Sequence, residues 1–243
     1  MNLAIRAERL RLLSLRSTAV FATLLVCSCV APIIVMGLIY DPVYQGPIDA
    51  SDLGKCVSIF HVLAIAFTGT YTATEIRSGS PAISFLTQKH RQSSLIAQYV
   101  VTSVFLTLTY LVGMCLSLGA ALFYPDGLVL NGRGWAYLGL YAVIVLLWSL
   151  IATSIAVITR SIAVAVAAPI TWMLLIEQLI VQIPMLEEIT PWLPFTASHT
   201  LLTRTLGEGS AVGTTVPSTL AIVIPVLVLI GTASILHSKR DAP

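Results

Sequence analysis

Six stretches of the chain run almost without charge for the length of a bilayer crossing: Thr18–Tyr40, Leu53–Thr74, Ile96–Phe123, Trp135–Ile158, Ile162–Ile183 and Pro217–Leu236. A helix needs about 20 apolar residues to cross the hydrocarbon core, so each stretch predicts a transmembrane helix. The period-2 alternation of a membrane β-barrel is absent. Short polar connectors separate the stretches, apart from one longer segment, 184–216. Its prolines Pro184, Pro191 and Pro194 predict short broken helices at the outer membrane surface, with Trp192 and Phe195 suited to the interface. The first stretch is longer than the usual h-region of about 7–15 residues and lacks an A-x-A-like cleavage site, so it reads as a retained span.

Composition agrees. Of 243 residues, 57% are hydrophobic and 10% charged, and the mean hydropathy is +0.92. Soluble domains are about 25% charged. A water-facing surface and intrinsic disorder are both excluded on these grounds. No connector is long enough for a water-soluble domain. The expected fold class is therefore an all-α membrane protein of six transmembrane helices, with residues 1–243 as a single transmembrane domain.

The net charge of +2 conceals a separation. Ten of the thirteen Lys and Arg, namely Arg6, Arg9, Arg11, Arg16, Arg77, Lys89, Arg91, Arg160, Lys239 and Arg240, alternate onto one side of the six spans. Lys55, Arg133 and Arg204 fall on the other, with most of the acids. The positive-inside rule then predicts both termini in the cytoplasm and segment 184–216 outside, in a multi-pass protein of the bacterial plasma membrane. The basic face suits anionic lipid headgroups. The cysteines Cys27, Cys29, Cys56 and Cys115 show no C-x-x-C spacing and read as small packing residues.

Three segments carry candidate function. In Asn2–Ser17, Arg6, Arg9 and Arg16 share a side at 100° per residue while Leu13 falls among them and Arg11 lies away, an imperfect stripe. It fits either an interfacial helix or a plain positive flank. In the second span, Thr68, Thr72 and Glu75 stay within about 40° of His61 on a helix. Such a face fits a pathway or interior position, or threonines bonded to their own backbone and a histidine at a helix contact. The loop Glu75–Ser94 predicts a short helix over Pro81–Gln88, started by Ser80 and Pro81. Ile83, Phe85 and Leu86 are its apolar knobs, and Lys89-His90-Arg91 follows. This helix is either a docking peg for another protein or a loop packed on its own bundle.

Pro169 is expected to kink the fifth span. Glu177 lies in that span's outer third, where reaching outward to water is the expected solution for its charge. The Glu187-Glu188 pair begins like some intramembrane metalloprotease motifs, but no second ligand set follows. G-x-S-x-G, H-E-x-x-H and G-x-x-x-x-G-K-[ST] are absent. His61, His90, His199 and His237 belong to different levels. No catalytic or metal site is expected, and no nucleic-acid partner.

Taken together, six spans, internal termini, a basic N-terminal segment and a proline-containing outer segment before the last span resemble the membrane (permease) subunit of a type-2 ABC (ATP-binding cassette) transporter. The most specific likeness is the loop: Glu75, Arg77, Gly79-Ser80, the Pro81–Gln88 helix, then Lys89 and Arg91. The ending Lys239-Arg240-Asp241 is also similar. The loop departs in having Gln88 where the family often has proline.

The resemblance implies two permease copies, or a copy and a paralogue, around a path lined by the second and fifth spans, with His61, Thr68, Thr72 and Glu177 as candidates. It implies a separate ATPase below each one, which brings ATP and Mg; no cofactor is expected in this chain. Arg6, Arg9, Arg11 and Arg16 would belong to a connecting helix, and Glu75–Arg91 to a coupling helix. The lack of a phosphate-binding loop agrees with a motor supplied in trans. An exporter of amphipathic drugs, antibiotics, peptides or lipids is the first expectation. The alternatives are a stand-alone secondary transporter, an immunity or regulatory membrane subunit, and, less favoured, an intramembrane enzyme.

Overall fold

A computed structural model describes residues 2–41, 46–79, 92–186, 188–207 and 215–239. These form a helical bundle, and six of the helices are long and apolar enough to cross a membrane. A single bridge, Ile48 to Leu128, is the one strand-like pairing among the described residues.

The N-terminal segment is helical, α1 (Asn2–Ser14). Leu15 breaks it with extended backbone, and α2 (Arg16–Leu38) follows as the first span. Ala4 and Leu12 are buried while Leu3, Leu10 and Leu13 are exposed, so α1 packs along a narrow apolar edge. The partners of that edge are α2 and the third span.

The second span, α3 (Ala50–Arg77), begins at a capping box. Asp49 accepts from the amides of Ser51 and Asp52 at 2.8 and 3.0 Å, and Asp52 accepts in return from the Asp49 amide at 3.4 Å. Burial pushes the Asp49 carboxyl up, but its hydrogen bonds with Asp52 and Ser51, together with nearby Lys55, outweigh that and hold it below the usual carboxylate range. The helix ends at Gly79, whose φ of +74° is open to glycine without strain. Of the six spans, α3 is the one most enclosed by the others.

The third and fourth spans are α4 (Gln92–Ala121) and α5 (Gly132–Thr159). Asn131 caps the start of α5 by accepting from the Gly134 amide at 2.8 Å. Arg160, in the left-handed region, turns the chain within two residues into the fifth span. That span, α6 (Ile162–Val181), is α-helical to Thr171, widens to a π-helical turn over Trp172–Ile176, and closes as α-helix over Glu177–Val181. Pro169 provides a reason for the irregularity. It has no N–H for the Ala165 carbonyl, and the wider turn begins three residues later.

The described residues of segment 184–216 are more helical than its prolines suggest. Two single 3₁₀ turns, Pro184–Leu186 and Thr190–Trp192, lead into a thirteen-residue helix, α7 (Pro194–Leu206). Pro194 is not a breaker there; it occupies the first turn, where its missing N–H costs nothing. The last span is α8 (Thr215–Lys239).

Chain alternation gathers the elements into two ends. At one end Ile76, Leu95, Val157 and Ala233 share a cluster, and Ser94 and His237 lie 3.3 Å apart. Arg77, Arg160, Lys239 and the arginines of α1 belong to this basic end. At the opposite end Ile48 donates to Gly127 at 3.0 Å and accepts from Val129 at 2.9 Å. Tyr40 donates to Asp126 there, an interaction that pushes the phenol up to about 12.

Close crossings depend on small residues. A Cβ added at Gly69 of α3 would meet the Ala165 carbonyl oxygen of α6 at 2.9 Å. That carbonyl is the one whose helical donor Pro169 removes. Ala73, Ala156 and Ala165 form the neighbouring contact of α3, α5 and α6. Apolar burial adds little between helices in lipid, so close backbone approach carries much of the association.

Candidate functional site

The basic end holds the first site. Arg11 of α1 forms an ion pair with Glu75 on the last turn of α3. The Tyr71 hydroxyl, one turn earlier, donates to Glu8 at 2.7 Å, and Glu8 lies 3.8 Å from Arg11. Four groups from two helices thus close a polar cluster under the membrane end of α3, with Leu12 buried beside it. Arg6, Arg9 and Arg16 are exposed. The irregular stripe of the N-terminal segment now has a cause: Arg11 lies out of phase because it faces the bundle.

Of the coupling-loop candidates, Glu75 is buried in this cluster, Arg77 is exposed on the last turn, and Gly79 terminates the helix. Ser80, Pro81, Ile83, Phe85, Leu86, Lys89 and Arg91 lie outside the described residues, as does the helix expected over Pro81–Gln88. Glu187, Arg240 and Asp241 also lie outside them.

The second site is the polar stripe of α3. His61, Thr68 and Thr72 are buried by the chain's own helices rather than turned to an open path. Thr68 donates back to the Ala64 carbonyl at 2.9 Å, the self-bonding solution for a hydroxyl in a membrane helix. The His61 ring meets Tyr141 and Trp148 of α5 edge-on, with centroids 6.2 and 6.0 Å away. Among the described residues, His61 Nε2, Thr72 Oγ1 and Trp148 Nε1 are buried without a hydrogen-bond partner. Orphan polar atoms in a membrane interior are costly and mark sites where a polar guest or a rearrangement would be accommodated.

Glu177 is the third site, and here the expectation of a side chain reaching to water is overturned. The residue is 0% exposed. Its carboxylate accepts from the Trp172 indole at 2.6 Å, the Phe195 amide at 2.9 Å, and the Thr196 amide and hydroxyl at 2.8 and 3.0 Å. It thereby caps α7 with a side chain from α6. The free amides of a helix N-terminus and its positive dipole end favour a carboxylate, and this is a cheaper solution than extension to the surface. The acceptance from Trp172 also ties the π-helical turn into the cap.

Phe195 joins the second and third sites. Its ring meets Trp148 at 6.3 Å, and Trp148 meets His61. A continuous line runs from His61 through Trp148 and Phe195 to Glu177. Glu8, Tyr71, Tyr141, Trp148, Trp172 and Thr196 did not stand out in the sequence, and Phe195 did so only as an interface residue. Most of their partners are far along the chain, although Trp172 and Glu177 are five residues apart; the one available signal was a lone acid, Glu8, among four arginines.

Among the described residues no group of His, Cys, Asp and Glu is placed to hold a metal ion. No model of a known protein family matches the chain, and no curated protein or solved structure matches it.

Proposed function

We propose that this chain is the membrane-spanning permease subunit of an ATP-driven transporter of the type-2 ABC kind. It would work as a pair with a second copy or a paralogue, and export an amphipathic molecule with energy from a separate ATPase. The observation that carries the reading is the α1–α3 cluster. An ATPase bound at the basic end would press on the loop 75–94 and on α1. The Arg11–Glu75 and Glu8–Tyr71 contacts link α1 to α3, the span most enclosed by the rest. Displacement of either element would therefore be delivered to the centre of the bundle as rigid-body motion.

The far end has a matching device. Glu177 fastens α6 to α7, so movement of the fifth span would carry the outer helix with it. A path that reaches His61 requires α3 to part from α5 there, because Tyr141 and Trp148 lie against its ring. By the positive-inside rule the basic end would face the cytoplasm.

The direct test is affinity purification of the chain from its native membrane. A co-purifying ABC ATPase is expected, and charge reversal at Arg77, Lys89 and Arg91 should weaken its retention. Solubilised chain that carries no ATPase under conditions preserving its fold would count against the reading.

One observation favours a second reading, a stand-alone secondary transporter. The unpartnered atoms of His61, Thr72 and Trp148 lie inside one chain rather than between two. Flux through a single copy driven by an ion gradient would establish that alternative.

A further inference from the structure

A cavity of about 480 Å³ lies between α5, α7 and α8. Its walls include Ile144 and Leu147 of α5, Leu201 and Arg204 of α7, and Ile222 and Val223 of α8. The volume is within the range of about 300–1,000 Å³ common to ligand sites. The lining is apolar apart from Arg204 and the hydroxyls of Thr205 and Thr219.

A second cation converges on the same place. A Cβ added at Gly207 would lie 2.5 Å from Nη1 of Arg133, so the Arg133 guanidinium rests on the backbone just past Arg204. Arg133 stands on the first turn of α5, whereas the groove begins at Leu140, about 10 Å further into the bundle at 1.5 Å per residue. Reading inward from the end opposite the basic face, two guanidinium groups come first and an apolar groove follows.

We propose that this groove holds one anionic phospholipid of the adjoining leaflet, with its phosphate between Arg204 and Arg133 and an acyl chain along Leu201, Ile222 and Val223. The order of charge and apolar surface matches headgroup and tail. Guanidinium groups offer several planar donors suited to phosphate oxygens, and Arg204 lines the groove itself. Cations near the C-terminus of α7 also complement its dipole, but that role needs no groove. The site requires only that the protein spans a membrane, and stands apart from the transporter reading.

Native mass spectrometry of the full chain, released from nanodiscs containing phosphatidylglycerol and phosphatidylcholine with the same acyl chains, tests the assignment. Selective retention of phosphatidylglycerol is expected. Arg204→Gln should lower it about tenfold, the scale of one charge-assisted contact, while Arg204→Lys should lower it less. Val223→Trp should abolish retention with both arginines intact. Equal retention of the two lipids, undiminished retention in Arg204→Gln, or displacement by glycerol 3-phosphate as effective as by the intact lipid would overturn the proposal. Circular dichroism and gel filtration identify any variant that misfolds, and Arg133→Gln then provides the independent arm, with a partial loss expected.

Discussion

Arg11 of the N-terminal helix and Glu75 at the end of the second span form an ion pair, although sixty-three other residues separate them along the chain. Its place at the membrane end, one-third exposed on the arginine side and one-tenth on the glutamate side, puts it between the weak surface pair and the strong buried one. Arg11→Glu or Glu75→Arg alone should destabilise the protein by about 1–3 kcal/mol. The double exchange should recover much of that loss. Thermal unfolding in detergent measures it, and an exchange no better than either single variant would mean that the pair does not join the helices.

Glu177 should act locally. Glu177→Ala leaves the Phe195 and Thr196 amides without their acceptor, at about 1–3 kcal/mol per buried group. Glu177→Gln should fall between. Hydrogen exchange should rise over α7 in both variants, with α3 and α5 protected as before. Uniform loss of protection would instead make Glu177 a general core residue.

Two glycine-to-alanine changes should have opposite signs. At Gly69 the added methyl meets the Ala165 carbonyl at 2.9 Å, and overpacking of this kind costs about 1–3 kcal/mol. At Gly139 it meets nothing within 4 Å, and better helix propensity should stabilise α5 by about 0.5–1 kcal/mol. Melting temperatures of the two variants distinguish them directly.

The Asp49 cap gives a pH signature. Its carboxyl lies below its ordinary value of 3.8 in the folded chain. A depressed folded value adds stability that is present above the unfolded pKa and lost as pH falls through the folded one. Asp49→Asn, which still caps but does not titrate, should therefore melt below the parent at neutral pH, and the gap should shrink as pH drops under 3.8. A gap independent of pH would show that the charge contributes nothing.

The six spans are legible in the sequence because lipid imposes one rule on each of them separately: enough apolar length to cross. The polar face of α3 is legible for a similar reason, since helical phase alone brings His61, Thr68 and Thr72 together. What phase does not reveal is the direction of that face. Tyr141 and Trp148, which lie against His61, are on another helix. The same limit hid Glu177, whose donors Phe195 and Thr196 follow a stretch of prolines. Pro191 and Pro194 read as breakers, yet the second of them starts α7. Arg11 is the instructive intermediate case, because its misfit in the stripe was visible while its partner was not.

Flux measured in proteoliposomes tests the proposed function most directly. The chain is reconstituted with and without its co-purified ATPase, ATP and Mg, and loaded with a panel of amphipathic cargoes. Transport that requires the ATPase and ATP, and that falls in Arg11→Glu while returning in the Arg11→Glu, Glu75→Arg exchange, is the predicted result. Full transport driven by a proton or sodium gradient, with no ATPase present, would contradict it.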